Sequence, residues 1–134
     1  MRTTLAVFTF WVMLFLFTSC YTNLVYFDLE TQSVIRCNGT ISRLNIISTD
    51  NKDDLHFSIM PGKKAQKSFS LKEINKDYSL ETTNPFITLK HFRLRPETEY
   101  TILHHSNGDC PDGELTIRTD KNSSIIYADK TSCK

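Results

Sequence analysis

Histidine side chains are the first candidates for a functional site in this sequence, but their spacing does not favour metal binding. The four are His56, His91, His104 and His105. The last two are neighbours, so on a β-strand they would point to opposite faces and could not share a ligand. We therefore expect His104 and His105 to be exposed or strand-end residues, and we predict no metal site.

The acidic run Asp50, Asp53 and Asp54 is the second candidate, because a cluster of carboxylates can hold calcium. It lacks the alternating spacing and the bidentate glutamate of a calcium loop, so it predicts a solvated turn. No nucleophile elbow, glycine-rich phosphate loop or zinc-binding histidine motif is present in the sequence. We predict no catalytic residue, cofactor, metal or small-molecule substrate, and thus not an enzyme.

The first 19 residues have the composition of a secretory signal peptide. Arg2 is followed by thirteen almost wholly apolar residues, 5–17, and then by the small polar pair Thr18-Ser19. The apolar run is too short to span a bilayer as a helix, which needs about 20 residues. We predict a signal over residues 1–19 and a single domain over residues 20–134. The alternative is an uncleaved anchor helix that runs on to Phe27.

The residues at the end of this segment resemble a bacterial lipobox, in which a small residue precedes the cysteine that becomes the mature N-terminus. They are Leu16-Phe17-Thr18-Ser19-Cys20. The resemblance implies lipidation of Cys20 by a diacylglyceryl group and an N-acyl chain, which together anchor a domain firmly. Tyr21 stands where lipoproteins retained in the inner membrane usually carry aspartate. The implied location is the outer membrane, facing the periplasm.

A rival interpretation is a secreted glycoprotein of eukaryotic or viral origin, cut near Cys20. Two N-glycosylation sequons support it, at Asn38 and Asn122.

Three cysteines remain if Cys20 is lipidated, which allows one internal disulfide in an oxidising compartment. We predict a Cys110–Cys133 bridge, because both residues lie in turn-like or terminal segments, and a reduced, buried Cys37 within a strand. A bridge from Cys37 to either of the other two cysteines is the alternative.

The body of the chain is neutral. Residues 20–134 hold 15 basic and 15 acidic side chains. Neutrality argues against a nucleic-acid partner, which would require a basic patch. A short basic segment, Lys63-Lys64-Ala65-Gln66-Lys67, predicts a solvated hairpin tip or part of a docking site for an acidic partner.

Alternation of apolar and polar residues at period two predicts strands down the whole chain. The faces are Val25-Phe27-Leu29, Ile35-Cys37, Leu55-Phe57-Ile59, Ile87-Leu89, Tyr100-Ile102, Leu115-Ile117 and Ile125-Tyr127. Prolines and glycines fall in or beside the loops between them. One helix signal exists, a capping-box pattern at Ser70 to Glu73. About seven short strands predict an all-β, immunoglobulin-like β-sandwich.

Residues 94–102, LRPETEYTI, resemble the signature of fibronectin type III domains. In that family the segment forms the corner into the sixth strand, where the tyrosine hydroxyl bonds back to nearby backbone. The resemblance therefore implies that Tyr100 is a buried corner residue and that residues 113–120 form a closing strand.

A lipid-anchored sandwich without catalytic groups is expected to act by binding another protein. In format it resembles short Gram-negative lipoproteins, some of which are immunity proteins that neutralise a secreted toxin. The alternatives are a structural or assembly lipoprotein of an envelope or secretion complex, and the secreted glycoprotein described above.

Overall fold

The computed structural model describes residues 23–105 and 112–134, which form nine β-strands and one short 3-10 helix at Leu89–His91. The strands are β1 Val25–Asp28, β2 Ser33–Arg36, β3 Arg43–Ser48, β4 Asp54–Ile59, β5 Ser68–Ser70, β6 Tyr78–Thr82, β7 Glu99–His105, β8 Gly113–Thr119 and β9 Ile125–Ala128. No α-helix forms in these residues, and none of their helices is long and apolar enough to cross a membrane.

The strands form two antiparallel sheets that pack as a sandwich. The smaller sheet has the order β1-β2-β5, and the larger has the order β6-β4-β3-β7-β8-β9. The predicted all-β, immunoglobulin-like sandwich is confirmed.

The core lies between the sheets and is built by alternate residues of each strand, as the period-two pattern requires. In β7, for example, Tyr100 and Ile102 are fully buried, while Thr101 and Leu103 are only partly buried. Aromatic rings join the two layers: Phe69 of β5 meets Phe57 of β4 edge to face, with ring centroids 4.9 Å apart. Such pairs add about 0.5–1.5 kcal/mol to the free energy of burial.

Three local predictions are wrong. Val34 faces the core of β2, and Ile35 lies on its other face, because the strand is shifted by one residue from the predicted alternation. Ile87 and Leu89 do not form a strand, since the Thr88 hydroxyl accepts the His91 amide hydrogen and caps the 3-10 helix. The Ser70 hydroxyl accepts two amide hydrogens as an N-cap would, but Ser70 is the last residue of β5 and no helix follows it.

The disulfide joins Cys37 to Cys133, so the predicted Cys110–Cys133 pair is wrong. The Cα atoms of Cys37 and Cys133 are 5.6 Å apart, within the normal range for a bridge. Cys37 follows β2 at the rim of the sandwich and is half-buried, so it is not the enclosed thiol that its apolar neighbours suggested. Cys20, Cys110 and the predicted signal lie outside the described residues.

The described chain begins at one end of the sandwich, called here the entry end. The Asn23 carbonyl oxygen lies so close to the Cα of Gly113 that a Cβ there would be 1.8 Å from it. Only glycine permits this approach. Cys37 follows β2, the strand that pairs with β1, and its amide donates to the carbonyl of Leu24 at 2.9 Å. Because Leu24 lies next to Asn23, the Cys37–Cys133 disulfide is also at the entry end.

Candidate functional site

Phe86 is the most exposed large apolar residue of the described chain, with 87% of its surface accessible. It lies in the segment between β6 and β7, residues 83–93, which we call the Phe86 loop. The loop follows Thr82, which pairs with Leu55 at the end of β4 opposite Ile59. It is therefore displayed at the end of the sandwich away from the entry end, called here the far end.

Hydrogen bonds within the Phe86 loop fix the backbone on either side of Phe86. The side-chain oxygen of Asn84 accepts the Phe86 amide hydrogen at 3.0 Å, and the Asn84 carbonyl accepts that of Ile87 at 3.2 Å. The Asn84 amide in turn donates to the Thr82 hydroxyl at 3.0 Å. The Asn84-Pro85 turn therefore fixes the backbone from which the Phe86 side chain projects into solvent.

An open hollow of about 490 Å³ lies beside the residues that follow Phe86 in the loop. Its walls are Leu80 of β6 together with Ile87, Thr88, Leu89 and Lys90 of the loop. Residues 82–96 contain no carboxylate, and the exposed cations Lys90 and Arg93 lie in the same segment. The Phe86 loop is thus an apolar projection with a basic border.

An ionic cluster stabilises the segment that follows the Phe86 loop, where the chain re-enters the core. Arg95 donates from Nε to the Asp53 carboxylate at 2.7 Å and from Nη2 to the Asp50 carboxylate at 2.7 Å. Asp53 is 2% exposed, so the predicted solvated acidic turn is only half right: Asp50 is at the surface, whereas Asp53 is a buried partner of Arg95. The Arg95 guanidinium, with the Ser48 hydroxyl, holds the pKa of Asp50 well below its usual range.

Tyr100 belongs to the same cluster and contacts it from the core side. Its hydroxyl accepts the Arg95 amide hydrogen at 2.8 Å and donates to the Asp53 carboxylate at 3.1 Å. The first bond is the one that the fibronectin-like segment implied for this tyrosine. Burial raises the pKa of Tyr100 to about 12, so it is a neutral donor at physiological pH. The cluster positions the Phe86 loop and has a structural role.

The other residues singled out in the sequence are dispersed. Asn38 and Asn122 are both exposed, in the loops that follow β2 and β8, so each sequon is accessible. His56 pairs with Asp54 on one strand, and His105 pairs with Asp112, each at 2.9 Å. Within residues 23–105 and 112–134, no group of three metal-binding side chains comes together.

His104 and His105 do point to opposite faces, and both lie at the end of β7, but His104 is completely buried, so of the two expected environments only the strand end applies to it. Burial, with a smaller contribution from the positive charge of Arg36, lowers the pKa of His104 to about 4. The pattern carried a signal for this, because His104 continues the inward face of Tyr100 and Ile102.

The buried histidine predicts acid sensitivity. An unfolded histidine has a pKa of about 6.5, so as the pH falls the unfolded chain takes up the proton first, and stability is lost between about pH 6.5 and 4. Urea melts should show the wild type losing about 2 kcal/mol more than His104→Gln between pH 7.5 and 5. His91→Gln, at an exposed position, should behave as wild type. Equal losses in wild type and His104→Gln would contradict this assignment.

The Phe86 loop was missed because Phe86 and Thr88 fit one face of a strand when only period two is considered. The Asn84-Pro85 turn was the available signal, since proline and the preceding residue resist regular pairing. In comparisons with known proteins, no family model, no curated protein and no solved structure matches this chain. Its function therefore has to be inferred from its own surfaces.

Proposed function

We propose that this chain is an exported, lipid-anchored module that binds another protein through the Phe86 loop. The observation that carries the proposal is the exposed Phe86 side chain, which projects from a hydrogen-bonded turn of a loop that also lines a largely apolar hollow at the far end of the sandwich. An aromatic side chain has only two rotatable bonds and so loses little conformational entropy on binding, and aromatic residues often dominate interface energies. Attachment through Cys20, near the entry end, would leave this loop accessible to a partner.

Export is supported by the Cys37–Cys133 disulfide, because such bridges persist in oxidising compartments such as the periplasm. The partner chemistry that suits the Phe86 loop is an apolar pocket bordered by carboxylates, since the exposed cations Lys90 and Arg93 belong to the same loop. An immunity protein against a secreted toxin is our first choice within this class, and an assembly lipoprotein is the second. The neighbouring genes separate them: an adjacent toxin gene favours immunity, and a secretion operon favours assembly.

Phe86 is predicted to be the main energetic contact with the partner. A photo-reactive benzoylphenylalanine at position 86 should give one dominant cross-linked protein in cells. With that protein purified, Phe86→Ala should weaken binding by about 2–3 kcal/mol, or roughly 30- to 150-fold. Ile126→Ala removes a side chain that is 58% exposed on β9 and should leave affinity unchanged. Equal affinities for both variants and wild type would reject the Phe86 loop as the contact.

The lipid anchor is predicted to depend on the Cys20 thiol, because that sulfur is the acceptor of the diacylglyceryl group. Cells grown with an azido fatty acid should label the wild-type protein and should not label Cys20→Ser. A wild-type protein that takes up no label would disprove lipidation.

A secreted glycoprotein is the second candidate, and one contact favours it. Asn23 and Gly113 touch, and each is three residues from a cysteine, Cys20 and Cys110 respectively. Three residues span at most about 11 Å, so a second bridge between Cys20 and Cys110 is within reach of the chain. Non-reducing peptide mapping separates the candidates. The lipoprotein should show acylated Cys20 and a free Cys110 thiol, whereas the glycoprotein should show a Cys20–Cys110 cross-link and glycans at the exposed Asn38 and Asn122.

A further inference from the structure

The short basic segment of the sequence lies at the entry end of the sandwich. Lys63, Lys64 and Lys67 are all exposed on the connection between β4 and β5, which we call the lysine loop, residues 60–67. Backbone hydrogen bonds place it. The Cys37 amide donates to the Leu24 carbonyl at 2.9 Å, and the Arg36 amide donates to the Lys67 carbonyl at 3.0 Å. Lys67 is therefore two strand positions, about 10 Å, from the first described strand.

The lysine loop is held in a fixed shape. Its tight turn at Pro61-Gly62 uses the positive φ of Gly62, 77°, and is closed by the Lys63 amide donating to the Met60 carbonyl at 3.1 Å. At its other end, the Ile41 amide donates to the Gln66 carbonyl at 2.7 Å. The three lysines thus project from a rigid support at the rim of the sandwich.

Positive charge at this loop is not neutralised nearby. Residues 55–72 contain no carboxylate, and within the described part of the chain none of the three lysines forms an ion pair. Asp77, whose carbonyl accepts the Met60 amide hydrogen, is the nearest acidic residue in the hydrogen-bond network, and Asp112 is paired with His105.

We infer that the lysine loop faces the membrane and contacts anionic phospholipid headgroups. This inference rests on the proposed lipid anchor. Cys20 is four residues from Leu24, a span of at most about 14 Å, so a lipid there holds the entry end close to the bilayer surface. That distance is comparable with the Debye length of about 8–10 Å, within which a lysine is attracted to an anionic surface. The same orientation directs the Phe86 loop away from the membrane.

Lysine footprinting on the full-length, lipidated protein tests this orientation. The protein is reconstituted in vesicles of phosphatidylcholine, with or without a quarter of phosphatidylglycerol, and its amines are acetylated. In the anionic vesicles, acetylation of Lys63, Lys64 and Lys67 should be at least threefold slower than in the neutral ones. Lys121, exposed in the β8–β9 turn at the far end, should react equally in both, and 0.5 M salt should remove the protection.

The intact mass of the same sample shows whether the protein is acylated, and so distinguishes failure of this inference from failure of the proposed anchor. An acylated protein whose three lysines react equally in both vesicle types overturns the inference and leaves the proposed anchor standing; the lysine loop would then be a candidate docking site for an acidic protein. A protein without acyl chains overturns the anchor itself, and with it this orientation.

Discussion

Removal of the Cys37–Cys133 disulfide is expected to destabilise the domain by about 4 kcal/mol. The bridge joins residues 96 apart in sequence, and in the chain-entropy model a loop of that length restricts the unfolded state by about 4–5 kcal/mol. When both cysteines are replaced by serine, the unfolded chain regains this entropy and the free energy of unfolding falls. Urea melts of the Cys37→Ser/Cys133→Ser double variant should show this shift, and wild type in reducing agent should match the variant.

Cys110→Ser is the matched control for this bridge. If Cys133 pairs with Cys37 and Cys20 carries the lipid, Cys110 is a free thiol, and its replacement should leave the urea midpoint unchanged. A Cys110→Ser variant that is as unstable as the double variant, together with a stable Cys37→Ser variant, would restore the Cys110–Cys133 pairing predicted from sequence.

Truncation of Tyr100 is expected to have the second large effect. Tyr100→Ala should destabilise the domain by about 3–5 kcal/mol, because it leaves a cavity where a fully buried ring lies and also removes the hydroxyl. Tyr100→Phe keeps the ring and should cost about 1–2 kcal/mol, because the Arg95 amide and the buried Asp53 carboxylate each lose one hydrogen-bond partner.

Tyr127→Phe controls for loss of a hydroxyl without burial, since Tyr127 is an exposed residue of β9. Its urea midpoint should stay within experimental error of wild type. If Tyr100→Phe behaved like Tyr127→Phe, the hydrogen bonds of the Tyr100 hydroxyl would contribute nothing to stability, and the corner would depend on ring packing alone.

The two effects act at opposite ends of the sandwich. The disulfide fixes the C-terminal tail at the entry end, and further along β1 the Phe27 amide donates to the Lys130 carbonyl at 2.9 Å. Tyr100, Arg95 and Asp53 fix the far end, from which the Phe86 loop projects. Because the sites share no partner, their stability losses should add.

Local patterns were sufficient to predict the architecture. Period-two alternation identified β4, β7 and β8, where every second side chain enters the core, and the turn residues separated them. The fibronectin-like segment located the hydrogen bond of the Tyr100 hydroxyl, because its donor is the amide of Arg95, only five residues away. These features depend on neighbours in sequence, so they can be predicted without knowing the fold.

Tertiary structure decided the features that depend on distant residues. The Cys37–Cys133 pairing follows from the way β1 and β2 meet the C-terminal tail, and no spacing in the sequence encodes that meeting. The local sequence around Asp53 is typical of an exposed turn. Asp53 is buried because its carboxylate binds Arg95, which lies 42 residues later in the chain. Phe86 fits a strand face by period, but the Asn84 turn directs it to solvent because no neighbouring strand covers this segment. Sequence thus determined which residues alternate, and long-range packing determined which of them meet or remain exposed.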